Sequence, residues 1–196
     1  NFINALVELD PDEALSRVPR HEDGVTPLWQ VRPDGFYVFP HLEGWNDHAP
    51  VVGISALDAQ MYCRWLSSVE KWRYRLPASD EWEKAARGSE GRCFPWGEGW
   101  EPGFSACAST WNEPWPPPIG YAPKDVSAFG VHDCAGGVRE WTGTSPSSSK
   151  NTQLKVLGGS FRMGHVEGRP LWVNEALDVN ARFGDLGFRL AVDLSH

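Results

Sequence analysis

Ser55-Ala56-Leu57-Asp58-Ala59-Gln60-Met61-Tyr62-Cys63-Arg64-Trp65-Leu66-Ser67-Ser68-Val69 is the stretch on which the fold turns. Ser55 can cap a helix, and Asp58, three residues on, completes a reciprocal capping box. Leu57, Met61, Trp65 and Val69 recur every four residues, and Tyr62 and Leu66 widen the stripe, so this face is predicted to be core. A second, shorter helix is predicted from Ser79 to Arg87. Pro77 precedes it, Ser79 is its expected cap, Asp80 and Glu81 fill the first turn, and Gly88 is its stop. Two amphipathic helices need a flat apolar partner.

Upstream, Phe2, Ile3, Leu6 and Leu9 fall near helical spacing, and Asp10-Pro11-Asp12-Glu13 reads as a cap, a first-turn proline and an acidic start of a helix ending near Val18. The helical pattern is already under way at Asn1, which predicts that these 196 residues are the C-terminal part of a larger protein. Pro19 to Pro50 reads as loops with one small hairpin near Gly35-Phe36-Tyr37-Val38. Downstream of Gly88, Phe94-Pro95-Trp96-Gly97, Trp111 to Pro118 and Pro123-Lys124-Asp125 are loops. Short β pieces are predicted at Val126 to Val131, Val138 to Trp141, Leu154 to Leu157 and Gly187 to Val192. With no repeat and no linker, residues 1–196 read as a single α+β domain.

The composition narrows the function. A net charge of −8 argues against a nucleic-acid partner, which needs a basic stripe. Hydrophobic content of 41% with 22% charged residues is that of a globule. No apolar run reaches the ~18 residues of a membrane span, and Asn1 to Asp10 lack the pattern of a signal peptide. Eleven Trp, nine Phe, twenty Gly and sixteen Pro point to long ordered loops pinned by aromatic rings. Cys63, Cys93, Cys107 and Cys134 form no C-x-x-C pair, so zinc is not expected, and reduced thiols in a cytoplasmic protein are.

Ordered motifs then carry a resemblance: Pro50-Val51-Val52-Gly53-Ile54-Ser55, Tyr74-Arg75-Leu76-Pro77, Glu81-Trp82-Glu83-Lys84-Ala85-Ala86-Arg87-Gly88, Phe94-Pro95-Trp96-Gly97, Phe129-Gly130-Val131, Glu140-Trp141, Gly158-Gly159-Ser160-Phe161 and Gly187-Phe188-Arg189. The chain resembles the formylglycine-generating-enzyme, or sulfatase-modifying-factor, family from about Val51 to Ala191. That resemblance implies an α+β, C-type-lectin-like fold: two helices on a small twisted sheet with extensive irregular loops. The N-terminal quarter is nearest to versions of the domain that follow bacterial protein kinases.

Formylglycine-forming members of the family hold copper with two cysteines after the Gly-Gly-Ser motif, and two thiolates suit soft Cu(I). The matching positions here are Met163 and Gly168. No copper is therefore expected, nor sulfatase-type oxidation. Related ergothioneine-pathway oxygenases use a His-rich motif that is absent here, and Gly158-Gly159-Ser160 is not a nucleophile elbow. The resemblance also implies a structural Ca²⁺ at Asp133, Gly136, Val138 and Glu140, whose oxygens suit a hard cation. A second family calcium site is not expected, because its Asn position is Ala106.

Between Ser160 and Gly187 neither helical nor strand periodicity organises the sequence, and aromatic and charged residues alternate with glycines, a composition suited to recognition. Variable proteins of diversity-generating retroelements resemble this frame, with diversified residues between a Gly-Gly-Ser-aromatic motif and Gly-Phe-Arg. On that resemblance Arg182 and Leu186 stand as scaffold. The expectation is a non-catalytic module binding a protein or peptide ligand through Phe161, Arg162, His165, Trp172, Phe183 and Asp185. Two alternatives stay open: a metal-dependent oxidoreductase with an altered cleft around Ser160, Met163 and His165, and a regulatory domain attached to a signalling protein such as a bacterial kinase.

Overall fold

A computed structural model describes residues 2–39, 45, 47–101, 103–147, 152–164 and 173–194, with the side chains of 173 and 174 left aside. The chain opens with α1 (Phe2–Leu9) and α2 (Pro11–Arg17), followed by the hairpin β1 (Gln30–Val31) and β2 (Tyr37–Val38). Asp10 caps α2 by accepting from Asp12 N at 3.1 Å and Glu13 N at 3.0 Å, as its Asp-Pro-acidic start predicts. Helix α3 (Ala56–Val69) carries the expected box: Ser55 Oγ accepts from Asp58 N, and Ser55 N donates to Asp58 Oδ2.

The predicted stripe of α3 is corrected at its ends, since Leu57 is 38% and Val69 58% exposed. Ala56, Ala59 and Cys63 instead face Trp141, Leu154, Val156 and Leu186. Small side chains let the helix lie close to the sheet. Met61, Tyr62 and Trp65 turn to the other side, where Phe2, Ile3, Ala14, Val18 and Tyr37 pack. An every-four-residues stripe thus straddles two partners, one on each flank.

After β3 (Arg73–Arg75) comes α4 (Ser79–Arg87), and its cap is Ala78 rather than Ser79. Ala78 N donates to Glu81 Oε2 at 2.8 Å, while Ser79 N is taken by Thr144 Oγ1 at 2.8 Å. Gly88 ends the helix at φ 70°. The main sheet comprises β4 (Arg139–Trp141), β5 (Gln153–Gly158), β6 (Val173–Asp178) and β7 (Leu186–Phe188), in the order β6-β5-β4-β7. β4 runs antiparallel to β5 and parallel to β7, with Glu140 opposite Leu157 and Gly187. A last strand, β8 (Ala191–Asp193), returns to β3, with Tyr74 opposite Val192.

Three strand expectations change. Gly187 to Val192 divides between β7 and β8, because its two halves serve different sheets. Val126 to Val131 is a turn closed by a single bridge from Val126 to His132. The stretch read as aperiodic contains β6, paired with β5 over six positions from Gln153–Asp178 to Gly158–Val173. Its Glu, Ala and Asp residues have little strand preference, so the backbone of β5 imposes the conformation.

Two glycines are required by close approach. A Cβ on Gly53 (φ +71°) would stand 2.1 Å from Arg20 O, and one on Gly136 would stand 2.4 Å from Ala106 O. The four cysteines are free thiols. No helix among the described residues is long and apolar enough to cross a membrane.

Candidate functional site

Glu140 and Arg189 join β4 to the chain that follows β7. Glu140, on β4, is 5% exposed. Its Oε2 accepts from Trp82 Nε1 on α4 at 2.7 Å and from Arg189 Nε at 2.5 Å, and its Oε1 accepts from Arg189 Nη2 at 2.7 Å. Arg189 also donates to the carbonyls of His132 and Asp133 and lies over the Trp82 ring. One ion pair therefore locks α4, the sheet and the chain after β7 together. Beside it, Trp141 is fully buried and its Nε1 donates to Ile54 O at 3.2 Å.

The residues expected to hold calcium lie here, and their arrangement does not fit the ion. The charge of Glu140 is neutralised by a guanidinium, so a divalent cation sharing this carboxylate would face Arg189. Asp133, in a left-handed conformation at φ 57°, accepts from Gly120 N at 2.7 Å. Burial raises its carboxyl above the ordinary value. Gly136 and Val138 are buried, and the backbone of Ala106 presses on Gly136 and accepts from Gly137 N. Among the described residues no group of three or more His, Cys, Asp or Glu could hold a metal ion.

The expected recognition residues separate into several kinds. Arg162 is exposed, pairs with Glu22 and lies over the Phe161 ring. Phe161 is 3% exposed and Asp185 6% exposed, which removes both as surface contacts. Phe161 is tucked under the turn after Ser160, its N donating to Gly137 O at 2.8 Å. Asp185 forms a two-pronged pair with Arg139, which also reaches Glu175. Phe183 is half-buried against the core with Arg139 over its ring. His165 and Trp172 lie outside the described residues, as does Gly168. Ser160 is 1% exposed, and its Oγ accepts from Arg162 N at 3.0 Å. The carbonyl of Met163 accepts from Ala108 N at 3.0 Å.

Beside Arg162 a groove of about 690 Å³ opens between the Arg20–Thr26 loop, the Pro114–Pro116 loop and Gly184. Its apolar wall holds Trp45, Trp115, Leu28 and Val52. The loop residues fold on themselves: Asp23 accepts from Val25 N and Thr26 N at 2.8 Å, and from the Thr26 hydroxyl at 2.6 Å. Those bonds, the hydroxyl's first, hold the Asp23 carboxyl down at about 2. Sequence reading classed Arg20 to Thr26 and Trp111 to Pro118 only as loops. No local period announces two loops almost a hundred residues apart that share a wall.

Residues 34–194 match the sulfatase-modifying factor enzyme 1-like domain. The mouse (Mus musculus) protein named inactive C-alpha-formylglycine-generating enzyme 2 is 29% identical over 208 residues, covering 92% of this chain and 63% of its own length. The chain spans between about a quarter and two thirds of the length of the curated relatives it matches. PvdO from Pseudomonas aeruginosa superposes with a TM-score of 0.67 at 22% identity, over 98% of this chain and 76% of PvdO. Treponema denticola variable protein 1 superposes with a TM-score of 0.60 at 17% identity, over 91% of this chain and 78% of that one. These last two likenesses are of fold.

Proposed function

This chain belongs to the family of the sulfatase-modifying factor enzyme 1-like domain, and from that premise we propose that it is a non-catalytic module that binds a protein or peptide ligand at the groove beside Arg162. The observation that carries this reading is the pair of cleft positions after Gly158-Gly159-Ser160. Where the resemblance places two copper-holding cysteines, this chain has Met163 and Gly168. A single thioether does not replace two thiolates. Ser160, the other reactive-looking group, is buried and spends its hydroxyl on the backbone of its own turn. What the same turn offers outward is Arg162 at the edge of a groove large enough for several side chains.

The mouse relative is itself named inactive, which supports this reading, and the fold likeness to a variable protein supports a role in recognition. A diversified form of the stretch between Ser160 and Gly187 belongs to the same proposal, and a neighbouring reverse transcriptase with a near-copy template would support it. So does residence in a reducing compartment, with which the four free thiols agree. The test has two arms. With copper(I) or iron(II) and a thiol-bearing peptide, the purified protein is expected to consume no more oxygen than the metal alone. A displayed peptide library is expected to yield binders that weaken about tenfold or more on Arg162→Glu. Turnover in the first arm, or no Arg162-dependent binder in the second, would overturn the reading.

A further inference from the structure

Strand β8 leaves one of its edges open. Arg73 and Arg75 of β3 stand opposite Asp193 and Ala191, and Tyr74 stands opposite Val192. Tyr74 turns its backbone away from β8, its N–H donating to Ser67 Oγ on α3 at 2.8 Å. In an antiparallel ladder both members of such a pair point outward, so the N–H and C=O of Val192 face away from β3. Among the described residues no group meets them.

The side chains along this edge are apolar and uncovered. Leu190, Val192 and Leu194 alternate along the chain and are 38%, 39% and 72% exposed. Open edges are ordinarily guarded by charge, and β6, at the edge of the main sheet, carries Glu175 and Asp178. The one charge on β8 is Asp193, which alternation sets on the opposite face, where Arg75 holds it at 2.8 Å and Arg73 at 3.6 Å. Leu190 also lines an apolar cavity of about 600 Å³ with Tyr62, Leu66 and Phe188.

This pattern is symmetric about Val192, and the symmetry selects the occupant. A second β8 laid antiparallel, with Val192 opposite its own counterpart, sets Leu190 against Leu194 on the apolar face. On the other face Ala191 meets Asp193, so no like charges oppose each other. The two Val192 residues exchange a pair of N–H···O bonds, and two ribbons become one four-stranded sheet, β3-β8-β8-β3. We propose that this edge is a homodimer interface, two copies of the chain pairing through β8 about a twofold axis at Val192. It shares no lining residue with the groove beside Arg162, so the two proposals are tested separately. A strand this short buries less than a permanent dimer requires, which makes the association weak and concentration-dependent.

Sedimentation equilibrium is expected to show a weight-average mass rising from one chain towards two between about 10 μM and about 1 mM. Val192→Pro removes the outward donor and keeps the bonds of Ala191 and Asp193 to β3. Leu194→Lys places a charge on the most exposed member of the stripe. Both variants are expected to stay single chains over that range, with an unchanged melting temperature. If Val192→Pro disturbs the fold, Leu194→Lys decides this arm. Oxidation reads the register: Val192→Cys stands beside its counterpart, within reach of a disulfide, and is expected to form a covalent dimer that the parent chain does not. Leu194→Cys, more exposed but about 14 Å from its own counterpart, is expected to form none. A single-chain mass throughout, a dimer that survives Leu194→Lys, or cross-linking of Leu194→Cys in place of Val192→Cys would overturn the proposal.

Discussion

Asp125 is the residue whose surroundings set the clearest condition on the fold. It is 1% exposed, and its carboxylate accepts from the backbone N–H groups of Cys134, Ala135 and Gly136. Burial, the largest influence, and the neighbouring Asp133 push its carboxyl up to about 7, against the pull of those bonds. A carboxyl whose folded value lies above its unfolded one of about 3.9 favours the protonated fold. Its contribution is complete below about pH 4 and is lost as pH rises through about 7. Asp133 is raised as well and acts with the same sign. Glu81, drawn down to about 2 by its hydrogen bonds to Arg75, acts oppositely but only in more acidic solution. Urea unfolding is therefore expected to show stability falling by a few kcal/mol between about pH 4 and about pH 7. Asp125→Asn should flatten that slope. An unchanged slope in the variant would assign the effect to another group.

At the scale of elements, one arginine joins three. Arg182, in the turn after β6, donates to Ser16 O at 3.1 Å and Val18 O at 3.4 Å at the end of α2, and to Gly53 O at 3.2 Å. It also stands 2.8 Å from Asp58 Oδ2 at the start of α3. Asp58 is 3% exposed and keeps Arg17 as a second partner at 3.2 Å. Arg182 thus ties the turn after β6 to the N-terminal helices and to the start of α3. Arg182→Met removes one of two cations from a buried carboxylate and leaves α2 carbonyls without their donor. The expected loss is about 2–4 kcal/mol in urea unfolding, with new protease cleavage between α2 and β1. Unaltered cleavage and an unaltered midpoint would show that hydrophobic packing alone holds α2.

Across the whole molecule, the same logic of internal cations bears on the calcium expectation. Arg189 reaches from the chain after β7 to Glu140 on β4, the strand to which β7 is paired in parallel, and Trp82 closes the arrangement from α4. The protein supplies its own positive charge where the family resemblance places a metal. A site saturated at a hundred times its dissociation constant would add about 2.7 kcal/mol to stability. That amounts to several degrees in a chain of this size. The melting temperature is instead expected to be the same in excess calcium and in chelator. A rise with calcium would mean that Arg189 yields Glu140 to the ion.

The sequence by itself determined the four helices, three of their caps, the strands β4 and β5, and the loss of both copper-position cysteines. Each of these is written in a local period, a capping residue or the identity of a single position. Most of the candidate site was not legible in that way. Only the tertiary structure decided that Phe161 and Asp185 are buried, that β6 exists, that Arg189 occupies Glu140, and that Trp45 and Trp115 wall one groove. Those facts depend on residues tens to more than a hundred positions apart. Burial and hydrogen-bond partnership arise when distant segments exclude water together, and no local pattern carries that information.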